Sequence, residues 1–161
     1  MQAIDVGPGA IDRESTHGAG TTVIDLANPA NRTGLLASIE IWAQANMSGI
    51  KVATFYGSGT SYTPRDVVSL ADVTAGSKVT RTVDASSDPI ALSVEAGDYL
   101  GIYYLGGVIE MGPIVGSDLY YKDGDQTGAG QQTYTLLYED KAISIYATRT
   151  ASGMVPIVMW G

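Results

Sequence analysis

The fold class is decided by one stretch, Val94-Glu95-Ala96-Gly97-Asp98-Tyr99-Leu100-Gly101-Ile102-Tyr103-Tyr104. An alternating apolar run, residues 90–94, leads into its Gly-Asp pair, and a second apolar and aromatic run leaves it. Two short runs around a tight turn are the local signature of a β-hairpin. The stretch therefore predicts an all-β protein, and it contains no motif that names a reaction.

Composition limits the kinds of partner this chain can have. Its 161 residues suffice for one domain with a real core, and 45% of them are hydrophobic, which excludes a disordered chain. The net charge is −8 and the nine Lys and Arg residues are spread singly. Without a basic patch to neutralise phosphates, we expect no nucleic-acid binding, and anionic membranes would repel this surface.

Cysteine is absent, which removes disulfides, thiolate zinc sites and cysteine nucleophiles together. The first residues show no basic region followed by an apolar one, so we expect no signal peptide. No apolar run approaches the roughly 18 residues that a membrane-spanning helix needs. The sequence therefore predicts neither a secretion signal nor a transmembrane helix.

Strand patterns recur along the chain with turn signals between them. They cover residues 21–26, 36–43, 50–56, 62–70, 77–83 and 119–121, and a closing hairpin of residues 133–138 and 142–148 joined by residues 139–141. We expect 36–43 and 50–56 to pair as antiparallel neighbours. The best helical candidate, residues 72–75, is weak. About nine or ten short strands predict a single-domain antiparallel β-sandwich, jelly-roll-like in type.

The two ends of the chain differ from its middle. Residues 1–20 are rich in glycine and turn-like, so we predict an extended N-terminal arm, followed by a β-sandwich domain over residues 21–152. Residues 153–161 form an apolar tail, whose candidate subunit contacts are Met154, Val155, Ile157, Val158 and Trp160. Burying such side chains is worth about 1.5–3 kcal/mol each. The tail is either a closing strand or a contact with a neighbouring subunit, and Pro156 disfavours a central strand.

Catalytic and metal-binding residues are scarce. His17 is the only histidine and no nucleophile elbow is present, so we expect no catalytic residues and no enzyme. The cluster Asp118, Asp123 and Asp125 could supply oxygen ligands to calcium, although Asp-Gly-Asp is also an ordinary turn. We expect no other cofactor.

Ten tyrosines are the remaining chemical signal. The doublets Tyr103-Tyr104 and Tyr120-Tyr121 should place one ring on each face of a sheet, since neighbouring strand side chains alternate. One ring of each doublet would then lie in the core and the other would be exposed. An exposed tyrosine suits a sugar ring or a subunit contact, so these four residues are candidate ligand-binding residues.

Several short runs together resemble a family of small β-sandwich proteins from phages and phage-derived genome regions. The runs are Asp5-Val6-Gly7-Pro8-Gly9-Ala10-Ile11-Asp12-Arg13, Asn28-Pro29-Ala30-Asn31, Ile39-Glu40-Ile41-Trp42-Ala43, Val52-Ala53-Thr54-Phe55-Tyr56-Gly57 and Ala96-Gly97-Asp98-Tyr99-Leu100-Gly101-Ile102-Tyr103. Such proteins are assigned to virions as decoration, head-fibre or tail-associated proteins. The resemblance implies a structural protein that is made in the host cytoplasm, carried in the virion and bound to its own copies and to a capsid or appendage protein. It supplies no functional residues.

Two other functions stay open at this point. One is a carbohydrate-binding module that uses exposed Tyr and Trp side chains, with or without calcium. The other is a subunit of an extracellular filament, for which the tail could supply a donated strand. Either of these would place the protein outside the cell.

Overall fold

The computed structural model describes residues 3–150, and its regular structure consists of strands alone. Over these residues there is no helix long and apolar enough to span a membrane. The strands are β1 (Ile4–Val6), β2 (Ser15–Gly18), β3 (Thr21–Asp25), β4 (Gly34–Leu36), β5 (Ser38–Ser48), β6 (Ile50–Ser58), β7 (Ser61–Leu70), β8 (Lys78–Arg81), β9 (Leu92–Val94), β10 (Tyr99–Tyr103), β11 (Gly106–Asp123), β12 (Gln132–Thr133), β13 (Thr135–Ile143) and β14 (Ile145–Arg149).

The strands form an antiparallel β-sandwich, which confirms the predicted fold class. The main sheet runs in the order β1-β14-β5-β11-β3-β10-β6-β7-β12; β8 pairs with β5, while β2 and β13 pair with β11. One layer contains β8, β5, β14 and β1, and the other runs from β11 to β12. A separate two-stranded ribbon pairs β4 with β9. The count of fourteen strands exceeds the nine or ten expected because several are only two to four residues long.

Alternating side chains from both layers fill one large core. In β5, Ile39, Ile41 and Ala43 are buried, whereas Ser38, Glu40 and Trp42 on its other face are only partly covered, as the alternation predicted. Their partners across the core include Val52 of β6 and Leu100 of β10. Apolar burial of this kind is the main favourable term in folding.

A second, smaller core lies on the opposite face of the layer that contains β3, β10 and β6. It contains Ile24, Ala53, Phe55, Tyr62 and Tyr134. Rings meet edge to face there, with the Phe55 and Tyr134 centroids 6.1 Å apart, an arrangement that aromatic pairs prefer. These three strands are therefore buried on both faces, which explains their near-continuous burial.

The expected hairpin around residues 90–104 does not form. β9 pairs with β4 in the separate ribbon, and β10 lies between β3 and β6. The turn is nevertheless real, since the Asp98 N–H donates to the Glu95 carbonyl at 2.9 Å. It leads the chain from the ribbon into the main sheet.

The predicted pairing of residues 36–43 with 50–56 is also wrong. β5 pairs with β14, β8 and β11, whereas β6 pairs with β10 and β7. The chain crosses between the layers at Gly49, whose φ is 60°. A sharp connection at a glycine can join strands of different layers as readily as it closes a hairpin.

Two other local expectations need correction. Residues 139–141 lie inside β13 instead of forming a hairpin turn, and residues 119–121 are the end of the eighteen-residue β11. The register of β11 against β13 shifts between Pro113 and Asp118, and Asp140 opposite has a φ of 54°. A bulge of this kind inserts turn-like residues into a continuing strand. Residues 72–75 are not helical, because Val73 forms an isolated bridge with Met47.

Residues 4–6 and 15–18 pair with strands of the folded body, which corrects the prediction of a separate arm over residues 1–20. Ile4 pairs with Arg149 and Val6 with Ala147, while β2 pairs with β11. Val6 is fully buried. Gly7, at φ 100°, allows the chain to turn where a Cβ would meet the Ile145 carbonyl at 2.9 Å. The tail, residues 153–161, lies outside the described residues.

Gly101 provides a test of the packing between the two cores. A Cβ at this position would come within 2.5 Å of the Phe55 ring and 2.9 Å of the Val23 carbonyl. We expect Gly101→Ala to lower the free energy of unfolding by about 1–3 kcal/mol, because an extra methyl group in a well-packed core forces its neighbours to shift. Gly18→Ala is the matched control on β2, where nothing lies within 4 Å, and its effect should stay within about 0.5 kcal/mol. Urea denaturation measures both, and equal effects would contradict the packing described here.

Candidate functional site

A cleft of about 580 Å³ opens at the end of the sandwich where β14 finishes. Ile4 lies at its apolar floor and is only 3% exposed, whereas Leu35 is 43% exposed. Four separate segments of the chain supply the lining residues, which are Ile4, Asn31, Arg32, Thr33, Gly34, Leu35, Ala96 and Arg149. Its mixture of apolar and polar lining residues makes the cleft a candidate binding surface.

Hydrogen bonds connect two of the chain segments that line the cleft. The Ala30 N–H donates to the Asp98 carbonyl and the Gly97 N–H to the Ala30 carbonyl, both at 2.8 Å. The Ala96 N–H donates to Thr33 Oγ1 at 3.1 Å. The loop before β4 and the turn before β10 therefore form one connected wall.

A buried ion pair supports that wall from behind. Arg65 Nε donates to Asp98 Oδ2 at 2.6 Å and Arg65 Nη2 to Asp98 Oδ1 at 3.1 Å. The Glu95 N–H donates to Asp98 Oδ2 at 2.9 Å, and the Glu95 carboxylate also contacts Arg65. The hydrogen bond with Asp98 raises the pKa of Arg65, and the guanidinium lies 4.5 Å from the Tyr56 ring centre. A bidentate pair of this kind fixes orientation as well as distance.

A second cleft of about 330 Å³ adjoins the first and shares Ile4, Asn31 and Arg149 with it. Its other lining residues include Tyr146 and Thr150, the last described residue. Asn31 closes the free side of β1, because the Asp5 N–H donates to Asn31 Oδ1 at 2.9 Å. Tyr146 donates its hydroxyl to Asp5 Oδ2 at 2.8 Å, and burial raises the pKa of Tyr146 to about 12.

Two buried acids lie away from the clefts. Asp25 is fully buried and accepts the N–H groups of Ala27 at 2.8 Å and Ile143 at 2.9 Å. Burial raises the pKa of Asp25 to about 7. Glu110 is also buried; its desolvation and the neighbouring Asp12 carboxyl raise its pKa. The Asp25 side chain joins β3 to β13, and the Glu110 carboxyl lies beside Asp12 and the Arg13 backbone.

The four tyrosines singled out in the sequence do not share a platform. Tyr103 and Tyr104 are both buried, so the expectation of one exposed ring in that doublet is wrong. Tyr104 donates its hydroxyl to the His17 carbonyl at 2.7 Å. The Tyr120 ring lies 5.7 Å from that of Tyr62 in the smaller core, and Tyr121 packs against the large core. Tyr104 and Tyr121 thus belong to the large core and Tyr120 to the smaller one, and neither ring of the Tyr120–Tyr121 doublet is fully exposed.

The expected calcium ligands do not converge either. No group of three acidic or imidazole side chains within residues 3–150 could hold a metal ion. Asp118 and Asp123 are five residues apart on β11, which is about 16 Å along a strand. Asp125 accepts Lys51 Nζ at 2.6 Å; burial acts to raise its pKa, but the hydrogen bonds from Lys51 and Thr127 lower it overall.

The remaining sequence candidates were the tail residues Met154, Val155, Ile157, Val158 and Trp160, which lie outside the described residues. The cleft itself was missed by sequence reasoning. Its lining residues come from distant parts of the chain, and no shared motif links Leu35, Ala96 and Arg149. Only their assembly at one end of the sandwich makes them a site.

Asp98 allows the support of the cleft wall to be measured. Asp98→Ala would leave Arg65 without its main partner and remove the acceptor for the Glu95 N–H. We expect a loss of about 1.5–3 kcal/mol in the free energy of unfolding, since hydrogen bonds to a charged group contribute about that much, and the partly exposed Arg65 keeps Glu95 as a partner. Glu95→Ala is the control, because that side chain is 57% exposed and exposed pairs contribute less than about 1 kcal/mol. Chemical denaturation that ranks Glu95→Ala above Asp98→Ala would contradict this account.

Asp25 should make stability depend on pH. Its folded-state pKa is raised, so the folded protein keeps a proton that the unfolded chain has released between about pH 4 and pH 7. The stabilisation is complete below that window and is lost as the pH rises through it, by up to about 1.4 kcal/mol per pH unit.

Asp25→Asn removes this titration. Thermal melts of the wild type and the variant at pH 5, 6, 7 and 8 measure the difference in slope, which cancels the other titrating groups. We expect the wild type to lose stability more steeply than the variant as the pH rises. Parallel curves would show that the Asp25 proton does not contribute.

No family model matches this chain, and no curated protein matches its sequence.

Proposed function

We propose that this protein is a non-enzymatic structural subunit of a phage-like particle, either a capsid decoration or cement protein or a subunit of an appendage. It acts through oligomerisation and surface contacts. The observation that carries this proposal is the open cleft with an apolar floor, which lies beside the point where the chain continues into its apolar tail.

The way the body uses its polar residues supports a structural role. Buried acids such as Asp25 and Asp98 accept hydrogen bonds that join separate strands and loops. The strands β3, β10 and β6 are covered by cores on both faces. A body built this way is stiff, which suits a subunit that must present fixed contact surfaces to its neighbours.

Its partners, on this proposal, are other copies of the chain and a capsid or appendage protein, and its location is the virion after synthesis in the host cytoplasm. The residues proposed for contact are the tail residues Met154, Val155, Ile157, Val158 and Trp160. Glycan binding is the less favoured alternative, because Tyr103 and Tyr104 are buried and Tyr120 and Tyr121 are partly buried against the two cores.

Light scattering tests self-association directly. We expect the full chain to have the mass of a defined oligomer, and a chain ending at Ser152 to have a lower mass, because burying the tail side chains at about 1.5–3 kcal/mol each favours association. Circular dichroism of both chains checks that the shortened one keeps its strands. A full chain that is monomeric over the whole soluble concentration range would overturn the proposal.

A further inference from the structure

We infer that the cleft at the end of the sandwich binds the apolar residues 154–160 of a second copy of the chain. This inference rests on the proposed function and names the surface through which two copies would meet. It joins two features that the proposal above leaves separate, an apolar cleft in the body and an apolar segment that follows it.

The cleft has the chemistry and the size for such a segment. Ile4 closes the floor, and the exposed side chains of Leu35 and Ala96 face the same opening. A volume of about 580 Å³ lies within the range of clefts that bury small ligands, roughly 300–1,000 Å³. Two or three side chains of valine, isoleucine or tryptophan size would fill it.

The path of the chain favours a second copy as the source of the segment. Thr150 borders the smaller cleft, whereas Arg149 is the last residue that borders the larger one. The described part of the chain therefore ends at the rim of the smaller cleft. Three extended residues span at most about 10 Å, so residues 151–153 are long enough for residues 154–160 to reach a neighbouring copy.

Charge favours the same occupant. Each copy has a net charge of −8, so two bodies repel one another, but residues 151–161 contain no charged side chain. Binding through this segment therefore brings two copies together without placing further acidic groups in the contact. Because each copy has both the segment and the cleft, the contact can be made twice about a two-fold axis.

Complementary variants of the full chain test this directly. Leu35→Asp damages the cleft and keeps the tail, whereas Ile157→Asp damages the tail and keeps the cleft. We expect each variant alone to associate at least about tenfold more weakly than the wild type, since both place a carboxylate in an apolar contact. An equimolar mixture should regain one intact contact and form a heterodimer, detected by analytical ultracentrifugation with one variant labelled.

Two further variants control for general effects. Val67→Asp introduces the same change on β7, where Val67 is 39% exposed and does not border the cleft, and it should associate like the wild type. Ala96→Trp fills the cleft without adding charge, so it should weaken association as Leu35→Asp does. Thermal melts confirm that each variant is folded.

The possible results separate the inference from the proposed function. If Ile157→Asp weakens association but Leu35→Asp and Ala96→Trp do not, the tail binds elsewhere, so the inference is overturned and the proposed function stands. If the variants do not complement each other although each is weakened, exchange between copies is overturned. If the wild type is monomeric, both proposals fail.

Discussion

The ion pair between Asp98 and Arg65 organises the end of the molecule that carries the cleft. The Asp98 carboxylate orients Arg65 through two hydrogen bonds and accepts the Glu95 N–H, while the backbone carbonyl of the same residue accepts the Ala30 N–H. Asp98 thus joins β7, the entry to β10 and the loop before β4. A bidentate pair fixes orientation as well as distance, so it holds these elements in one relative position. The ion pair therefore helps to fix the shape of the cleft wall.

The same principle operates at the other side of the sandwich through Asp25. There the donors are the backbone N–H groups of Ala27 and Ile143, and within the described residues no cation hydrogen-bonds to the carboxylate. A carboxylate bound by a guanidinium and a carboxylate bound by backbone N–H groups thus stabilise different joints of the body. Burial raises the pKa of Asp25 to about 7, so the joint away from the cleft is sensitive to pH.

Local patterns in the sequence were sufficient for the class of fold and for many strands. Alternation in Ile39, Ile41 and Ala43 identified β5 and its buried face, because the two-residue period of a strand is visible in a short window. Pairing was not predictable in the same way. The turn at residues 95–98 has the sequence of a hairpin, but β9 pairs instead with β4, which lies nearly 60 residues earlier in the chain. β11 was hidden because Gly112, Pro113 and Gly116 interrupt its pattern at a bulge. Short sequence patterns could not predict the cleft for the same reason, because its walls meet only after the layers assemble.

The pairing of β1 with β14 has a mechanical consequence. Ile4 lies opposite Arg149, so the two outer ends of the described chain leave the body side by side. Force applied between these ends would load the β1–β14 hydrogen bonds one after another, in the geometry of a zipper, instead of all at once. Such an edge opens under a small load even when the rest of the sandwich is stable. A subunit held through both ends would therefore yield first at this seam, while its two cores stay intact.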